Sequence, residues 1–422
     1  MIRFAYSLAW LVAAPLAVAR LAWRARRQRG YLARIGERFG RYPAAPAAPR
    51  IWIHAVSVGE TRAAAPIVEA LARTHPHHRI LLTHMTPTGR ETGVALFGDA
   101  VDRAWLPYDL GFAVRRFLRR FRPELGVILE TEVWPRLIEE CRREGVPVVI
   151  ANGRLSERSA RRYARVPALA RWAFGNLDGV AAQTQADASR FSALGAREVT
   201  VTGNVKFDME VPTAMIERGR GFRERFGASR PVWVAGSTRE GEEALLLDAF
   251  VRLGHADALL VLVPRHPQRF DEVARLAAAR GLEVARRSGE AAVAREVRVV
   301  VGDSMGEMLA YYAAADVVIM GGSLLDFGGQ NLIEACAAAR PVIVGPHTYN
   351  FEEASEGAIA AGAAIRVADA ANALREAARL SADRDRREAM GAKARAFVAA
   401  HRGAVDRLMH WLEPRLARRG GA

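Results

Sequence analysis

Cysteine is scarce in this chain, which contains only Cys141 and Cys336 among its 422 residues. The two lie far apart in the sequence, and neither belongs to a C-x-x-C pair. This spacing argues against both a disulfide framework and a thiolate zinc site. The sequence therefore indicates a protein of a reducing compartment.

Acidic residues are too few to balance the basic ones. The chain has 46 Asp and Glu against 61 Lys and Arg, almost all of them arginine, which gives a net charge of +15. Such a surface favours anionic partners, such as nucleic acid, acidic lipid headgroups or a phosphorylated substrate. Arginine-rich and alanine-rich usage can also reflect a GC-rich genome, so the charge alone does not choose between these partners.

The sequence also lacks an obvious set of metal ligands. Residues 74–78 contain three histidines, but a proline interrupts them and no acidic or cysteine residue accompanies them. Metal sites in proteins usually combine such ligands at defined spacings. We therefore predict a surface loop at this position and no metal site.

The N-terminal residues carry the strongest topological signal. Residues 4–19 contain no charge, and apolar residues continue to Trp23, which approaches the ~20 residues of a spanning helix. Eight arginines and a single acid follow within residues 20–41, which by the positive-inside rule places the rest of the chain in the cytoplasm. A charge that follows the apolar stretch does not fit a secretory signal peptide. Because Pro15 and Arg20 interrupt the run, the helix either spans the membrane once or lies in the interface, held to acidic lipid.

After residue 50, short apolar runs alternate with longer helical patterns. The runs are 51–56, 80–85, 125–130, 146–152, 179–183 and 199–204 in the first half, and 231–237, 258–264, 297–303, 316–323 and 341–346 in the second. Continuous apolar strands separated by helices predict parallel sheets covered on both faces. A chain of this length also predicts two large domains. We therefore expect two Rossmann-like domains with a cleft between them.

The predicted domain limits follow from these runs. They are 1–24 for a membrane-anchor helix, 25–50 for a basic flank and Pro/Ala linker, 51–210 for the first domain, 228–400 for the second, and 401–422 for a C-terminal helix. Residues 211–227 are expected to connect the domains, and an amphipathic helix is expected from Ala394 to Arg419.

Polar residues gather where the predicted strands end. Three helix starts in the second half have the form of a capping box: Ser237 with Glu240, Ser304 with Glu307, and Asn331 with Glu334. Several helix N-termini at one edge of a sheet can bind a phosphate group, because their unpaired N–H groups and positive dipole ends point the same way. Each could equally be a helix start and nothing more.

The stretch SVGE, which follows the run IWIHAV, also has two interpretations. Ser57 and Glu60 fit a capping box, in which Glu60 reaches back to the serine N–H. Glu60 would also lie at the carboxyl end of a strand, where open α/β sheets bind their ligands. It is therefore a helix cap, a catalytic base, or both.

A series of motifs extends this interpretation. The chain carries, in order, WIHAVSVGE, LPYDL, LETEVWP, ANGRLSERS, VTGNVKFD, AGSTREGEE, LVPRHPQRF, GDSMGEM, GGSL, GGQNLIEA and VGPHTYNF. Over residues 51–351 this series resembles that of the 3-deoxy-D-manno-octulosonic acid (Kdo) transferases, the lipid A Kdo transferase family of Gram-negative bacteria. The resemblance implies a GT-B glycosyltransferase that moves Kdo from CMP-Kdo to the lipid A precursor lipid IVA in lipopolysaccharide biosynthesis. It implies no metal and no other cofactor.

The resemblance also assigns residues to roles. It makes Glu60 the general base, and Glu130 and Lys206 the groups that stabilise the transition state. CMP binding is implied for Pro264, Arg265, Met305, Gly306, Glu307, Asn331, Leu332, Ile333 and Glu334. The chemistry agrees in part, since a base must take the proton of the acceptor hydroxyl and cations must offset the charge of the leaving phosphate. For Glu130 the chemistry indicates an indirect role, in which it positions Lys206 or the acceptor.

The implied partners are CMP-Kdo, a lipid A precursor and acidic lipid on the cytoplasmic side of the inner membrane, and not nucleic acid. The chain departs from the usual family pattern at Gly153, Arg239, Gln330 and Leu332. Two alternatives remain open: another GT-B nucleotide-sugar enzyme, and a non-enzymatic protein that binds anionic lipid.

Overall fold

The computed structural model describes residues 2–417 apart from 27, 45–47, 256 and 290. Part of the predicted Pro/Ala linker, at 45–47, and residues 418–422 of the predicted C-terminal helix therefore lie outside the described residues. The chain forms two compact units. One combines Met1–Asp208 with Gly403–Ala422, and the other is Met209–Arg402.

The first unit is built on a sheet of seven parallel strands. These are β1 (Arg50–His54), β2 (Arg79–His84), β3 (Val101–Trp105), β4 (Pro123–Leu129), β5 (Val148–Gly153), β6 (Gly179–Ala182) and β7 (Val199–Val201). Their order in the sheet is β3-β2-β1-β4-β5-β6-β7. The described helices before residue 209 are α1 (Ile2–Ala25), α2 (Val58–Thr74), α3 (Pro87–Phe97), α4 (Gly111–Phe121), α5 (Pro135–Arg143), α6 (Glu157–Ala164), α7 (Pro167–Phe174) and α8 (Gln185–Ala193).

Both faces of this sheet are covered, which explains why its central strands are mostly apolar. Trp52 of β1 belongs to the hydrophobic core on one face, and its neighbours Ile51 and Ile53 belong to the core on the other. All three side chains are completely buried. The predicted covered parallel sheet is confirmed.

The second unit repeats this design. Its strands are β8 (Val232–Thr238), β9 (Leu259–Pro264), β10 (Val284–Arg286), β11 (Val299–Val301), β12 (Val317–Met320), β13 (Val342–Val344) and β14 (Ala364–Arg366). All are parallel, in the order β10-β11-β9-β8-β12-β13-β14. The helices are α9 (Thr213–Phe226), α10 (Glu242–Leu253), α11 (Phe270–Ala278), α12 (Met308–Ala314), α13 (Ile333–Ala337), α14 (Glu352–Ala360), α15 (Ala370–Ala382) and α16 (Arg384–Ala400).

Helix α9 covers most of the segment that was expected to connect the domains. It packs against α12 inside the second unit, with the ring centres of Phe222 and Tyr311 5.0 Å apart. Gly219 permits the close approach, because a Cβ atom there would lie 2.5 Å from the Cβ of Ala313. This segment is therefore part of the packed second unit.

The chain then returns to the first unit with α17 (Ala404–Ala417). A single helix from Ala394 to Arg419 was expected, and this prediction is wrong, because residues 401–403 interrupt it and Gly403 has a φ of 86°. Leu408 and Leu412 of α17 are fully buried in the core of the first unit. The Asp208 carboxylate accepts the N–H groups of Gly403, at 2.6 Å, and of Val405.

Helix α1 is the expected apolar helix at the N-terminus. Within the described part of the chain it is the one helix long and apolar enough to cross a membrane. One side of it packs on the first unit through Trp10, Ala14, Ala17 and Leu21. The opposite side exposes Phe4, Leu8, Leu11, Val12 and Leu16.

Candidate functional site

The first sheet has a topological switch point between β1 and β4. On one side of β1 the sheet continues with β2 and β3, and on the other side it continues with β4 to β7. In open α/β sheets, ligands bind beyond the carboxyl ends of the strands at such a point. Glu60 lies in the first turn of α2, just after β1, and Glu130 follows β4 directly. The fold therefore brings both predicted acids to the position where a ligand is expected.

Glu60 makes the contacts of a capping box. Ser57 is the N-cap of α2, and its hydroxyl accepts the N–H of Glu60 at 3.4 Å. The Glu60 carboxylate in turn reaches back and accepts the N–H of Val56. The predicted cap is confirmed. The N–H of Val56 donates to Glu60 in addition to the expected N–H of Ser57.

The environment of Glu60 favours its protonated form. Burial raises its pKa to about 7, and the charges of Glu130 and Glu132 act in the same direction. The N–H groups of Val56 and Ser57 act against this rise. A carboxyl group with this pKa is half ionised near neutral pH, which is the range in which a general base is most effective.

Glu130 is held in an unusual backbone conformation. Its φ is 58°, in the left-handed region that residues with a side chain rarely adopt. Its N–H donates to Ala151 O at 3.1 Å, and its Oε1 accepts from Lys206 Nζ at 2.7 Å. Strained residues of this kind often lie at functional sites. The ion pair supports the expectation that Glu130 positions Lys206.

Lys206 lies on the 3-10 helix Val205–Asp208. This helix is fixed by a side chain for which the sequence predicts no role. Asn152, fully buried at the end of β5, accepts the N–H of Val205 on its Oδ1 at 3.1 Å. Its carbonyl oxygen accepts from Gln183 Nε2 at 3.0 Å. Asn152 therefore holds the turn that presents Lys206 to Glu130. The motif ANGRLSERS contains this asparagine, but no local pattern indicates its distant partner.

The second sheet has its switch point between β8 and β12. The predicted CMP-binding residues all follow strands of this sheet at the carboxyl edge. Pro264 is the last residue of β9, and Arg265 follows it. Residues 305–307 lie after β11, and residues 331–334 lie after the loop that follows β12. The fold thus brings them to one edge of the second sheet.

The carboxyl ends of β8 and β9 carry a cationic cluster. The N–H of Arg265 donates to Thr238 O at 3.0 Å, which joins the two strand ends. Burial lowers the pKa of His266, and the charges of Arg239 and Arg265 lower it further. The guanidinium of Arg239 is stacked 4.4 Å from the centre of the Phe327 ring. Such a cluster can bind an anionic group.

Glu307 already has two cationic partners. Its Oε1 accepts from Arg218 of α9 and from Arg287, both at 2.8 Å. Burial favours the neutral form, but hydrogen bonding from Ser304 and the charges of Arg287 and Arg218 outweigh it and lower the pKa of Glu307. Any contact of Glu307 with a ribose hydroxyl would share the carboxylate with these arginines.

Residues 331–334 offer mainly backbone groups. Leu332 and Ile333 are completely buried, so their side chains face the core. Asn331 accepts the N–H of Ile333 at 3.2 Å and donates to Glu334 Oε1 at 3.0 Å. This pairing agrees with the expected link between Asn331 and Glu334.

The other two predicted capping boxes of the second unit are wrong. Helix α12 begins at Met308 with Glu307 at its N-cap, and Ser304 instead bonds to the hydroxyl of Tyr311 at 2.8 Å. Helix α10 begins at Glu242 with Gly241 at its N-cap, and Ser237 lies in β8 with a left-handed φ of 56°. Neither serine lies where it could cap a helix.

At the start of α10, Glu242 is found in place of the predicted Ser237–Glu240 box. Its buried carboxylate accepts the N–H groups of Arg239 at 2.8 Å, Gly322 at 2.6 Å and Leu324 at 2.9 Å. It therefore ties together the loops that follow β8 and β12, on the two sides of the switch point. The sequence does not reveal this role, since Gly322 and Leu324 lie 80 and 82 residues away from Glu242.

Among the described residues, no three His, Cys, Asp or Glu side chains are placed to hold a metal ion. His78 of the histidine-rich loop instead contacts Glu124 at 3.0 Å.

Comparisons with known proteins show the family of this chain. Residues 33–209 match the family model for 3-deoxy-D-manno-octulosonic-acid transferase (kdotransferase), and residues 244–397 match that for glycosyl transferases group 1. A 3-deoxy-D-manno-octulosonic acid transferase of Bordetella pertussis is 48% identical over 97% of this chain and 99% of its own length. The chain belongs to the Kdo transferase family. The Kdo transferase of Haemophilus influenzae is 36% identical over 99% of both chains.

A solved structure supports the architecture of this Kdo transferase. The glycosyltransferase of Rickettsia africae is 13% identical, covers 89% of this chain and all of its own, and has a TM-score of 0.61. Identity this low bears on the fold alone. With the two Rossmann-like units and the glycosyltransferase matches, the chain has the predicted GT-B architecture and is a glycosyltransferase.

Proposed function

We propose that this Kdo transferase moves Kdo from CMP-Kdo to a lipid A precursor, lipid IVA, on the cytoplasmic side of the inner membrane, with Glu60 as the general base. The acceptor hydroxyl forms a bond to the anomeric carbon of Kdo, while the bond from that carbon to the phosphate of CMP breaks. The hydroxyl proton passes to the Glu60 carboxylate, and CMP leaves with the bonding electrons.

The observation that carries this proposal is the environment of Glu60 at the switch point of the first sheet. A sugar hydroxyl is a poor nucleophile until its proton is taken. Burial raises the pKa of the Glu60 carboxyl to about 7, so the group is ionised often enough to accept a proton and basic enough to hold it. The capping contacts of Glu60 fix the orientation of its carboxylate.

Lys206 supplies positive charge to the same centre. The departing phosphate and the carboxylate of Kdo are both negative, and a fixed cation offsets charge that develops as the bond breaks. The 2.7 Å contact with Glu130 holds the flexible lysine side chain in one position. Glu130 therefore acts by positioning Lys206.

The second unit is proposed to bind the CMP part of the donor. Arg265, with Arg239 beside it, offers guanidinium groups to the phosphate. Pro264, Met305, Gly306, Glu307, Asn331, Leu332, Ile333 and Glu334 are the further proposed contacts. Since Leu332 and Ile333 are buried, their part is assigned to backbone N–H groups.

The exposed side of α1 is proposed to lie in the headgroup region of an acidic membrane. Its residues Phe4, Leu8, Leu11, Val12 and Leu16 are each more than half exposed. Exposed apolar surfaces of this kind mark contacts with lipid or protein. The arginines that follow α1 favour acidic headgroups. Because the other side of α1 packs on the first unit, the geometry supports the interfacial orientation over the spanning one.

The direct test is to incubate the purified protein with CMP-Kdo and tetra-acylated lipid IVA and to determine the product mass. We expect addition of one or more Kdo units and release of CMP. A donor preference for a UDP-sugar would instead indicate another GT-B enzyme. Salt-sensitive lipid binding without any turnover would indicate a non-enzymatic lipid binder.

A further inference from the structure

Three polar side chains near the start of α1 contact the rest of the first unit. Tyr6 Oη donates to Asp109 Oδ2 at 2.6 Å, and Arg136 Nη2 donates to Ser7 Oγ at 2.6 Å. Arg3 forms an ion pair with Glu139 at 2.7 Å. A helix that served only as a hydrophobic anchor would need none of these contacts.

The partner of Tyr6 is itself part of a helix start. Asp109 is buried, and its carboxylate also accepts the N–H groups of Arg136 at 3.0 Å and Leu137 at 2.7 Å. These are N–H groups of the first turn of α5, whose own N-cap residue, Trp134, provides no side-chain cap. The Tyr6 hydroxyl therefore completes the site that fixes the start of α5.

An aromatic contact reaches the same point. Trp10 of α1 lies between Tyr108 and Trp134, with ring centres 5.7 Å and 6.1 Å away. Trp134 is the last residue before α5. Residues 130–134 form the whole connection between β4 and α5, and Glu130 is its first residue.

From these contacts we propose that the inner side of α1, formed by Tyr6, Ser7 and Trp10, positions the loop 130–134 and through it the Glu130–Lys206 pair. Helix α1 is then a positioning element of the catalytic centre and not a detachable anchor. The catalytic part of this inference rests on the proposed function. Five residues give the loop little freedom once β4 fixes one end and α1 with Asp109 fixes the other.

One substitution removes a single atom from this arrangement. Tyr6→Phe keeps the ring and deletes the hydroxyl that donates to Asp109. We expect the amides of residues 130–134, 136 and 137 to exchange with solvent about 3- to 10-fold faster, measured by hydrogen exchange on the full chain in detergent micelles. Ser189→Ala is the matched control, because it removes an exposed hydroxyl of α8 that donates to Gln185 O within the same helix.

The second measurement is steady-state transfer to detergent-dispersed lipid IVA. Tyr6→Phe and Trp10→Ala should lower kcat about 10-fold while the KM for CMP-Kdo stays unchanged, since small displacements of catalytic groups reduce rate strongly. Trp10→Phe should recover most of the loss, because it restores an aromatic ring against Trp134. Ser189→Ala should match the wild type in both constants.

The outcomes separate this inference from the proposed function. Hydrogen exchange requires no substrate, so unchanged exchange in Tyr6→Phe overturns the inference even if the wild type forms no Kdo product. Faster exchange with an unchanged kcat also overturns it, because the contact would then stabilise α5 without any effect on catalysis. A wild type without transfer activity, together with faster exchange in Tyr6→Phe, would refute the proposed function and keep the structural link.

Discussion

The Glu60 carboxyl group contributes both to a helix cap and, in our proposal, to proton transfer. Glutamine can replace glutamate in a capping box but cannot take up the proton. Glu60→Gln should therefore lower the rate of Kdo transfer about 10²- to 10⁴-fold with little change in folding. Single-turnover measurements with bound CMP-Kdo would show this loss.

The matched control for this substitution is Glu69→Gln, which changes an exposed glutamate of the same helix. It should leave the rate unchanged. If Glu60→Gln also transferred Kdo at nearly the wild-type rate, Glu60 would be a cap and nothing more.

The pKa of Glu60 predicts a pH dependence. Since the base must be ionised, kcat should rise with pH on a limb centred at about 7. Because burial raises the pKa above that of an unfolded chain, Glu60 favours the folded state at low pH, and this contribution is lost as pH rises through about 7. Glu60→Gln should thus be at least as stable as the wild type at pH 8. A rate limb centred near pH 4.5 would contradict the assignment of Glu60.

Lys206 is proposed to provide the charge that a metal ion provides in other transferases. Lys206→Ala should lower the rate far more than Lys393→Ala, which removes an exposed lysine from α16. EDTA should leave wild-type transfer intact. Loss of activity on chelation and its return with magnesium would show that the charge is supplied differently.

The residues of the site differ in how far sequence can predict them. Glu60 was predictable because its capping partner lies three residues away, so the local pattern carried the information. Asn152 and Glu242 were not, since they act on N–H groups 53 and about 80 residues distant in the chain. The Ser237 box failed because Ser237 lies in β8 with a left-handed φ, and α10 begins only at Glu242.

At the scale of elements, the central strands were predictable and some edge strands were not. The strands β3, β10 and β14 were missed, and each lies at an edge of its sheet. An edge strand is only partly covered, so it tolerates charged residues such as Asp102 and Arg103 in β3. Its sequence therefore lacks the continuous apolar run that marks a central strand.

Helix α17 should contribute substantially to the stability of the first unit. Leu412 is fully buried there, and removal of a leucine side chain from a core costs about 2–5 kcal/mol. We expect Leu412→Ala to lower the thermal unfolding temperature clearly. Leu245→Ala, at a position that is 42% exposed, should change it little. Equal effects of the two substitutions would contradict the packing of α17.

The contacts of α1 are a second feature at the scale of elements that the sequence does not predict. All predicted catalytic motifs follow the Pro/Ala linker, so the sequence alone indicates a separate anchor whose deletion leaves catalysis partly intact. The stripe that contains Tyr6, Ser7 and Trp10 belongs to the uncharged run of residues 4–19, so no charge marks it in the sequence. Only the fold reveals that this stripe contacts Asp109, Trp134 and Arg136.

At the scale of the whole molecule, the second unit is an insertion in the first. It comprises one continuous segment, Met209–Arg402, with its own sheet and core. We expect this segment, produced alone, to fold and to bind CMP in preference to UMP, measured by calorimetry. A fragment that remained unfolded would show that the second unit depends on the first.

The return of the chain through α17 has a consequence for synthesis on the ribosome. The first unit needs Gly403 and Val405 to meet Asp208, and these partners are 195 and 197 residues apart. At about 5–20 residues per second, this part of the chain takes roughly 10–40 s to translate. During that interval the surface that α17 will cover stays open, and the second unit is completed at Arg402, before α17 is made. The second unit is therefore completed before the first, although its synthesis begins later. We expect chaperones to bind the uncovered surface of the nascent first unit.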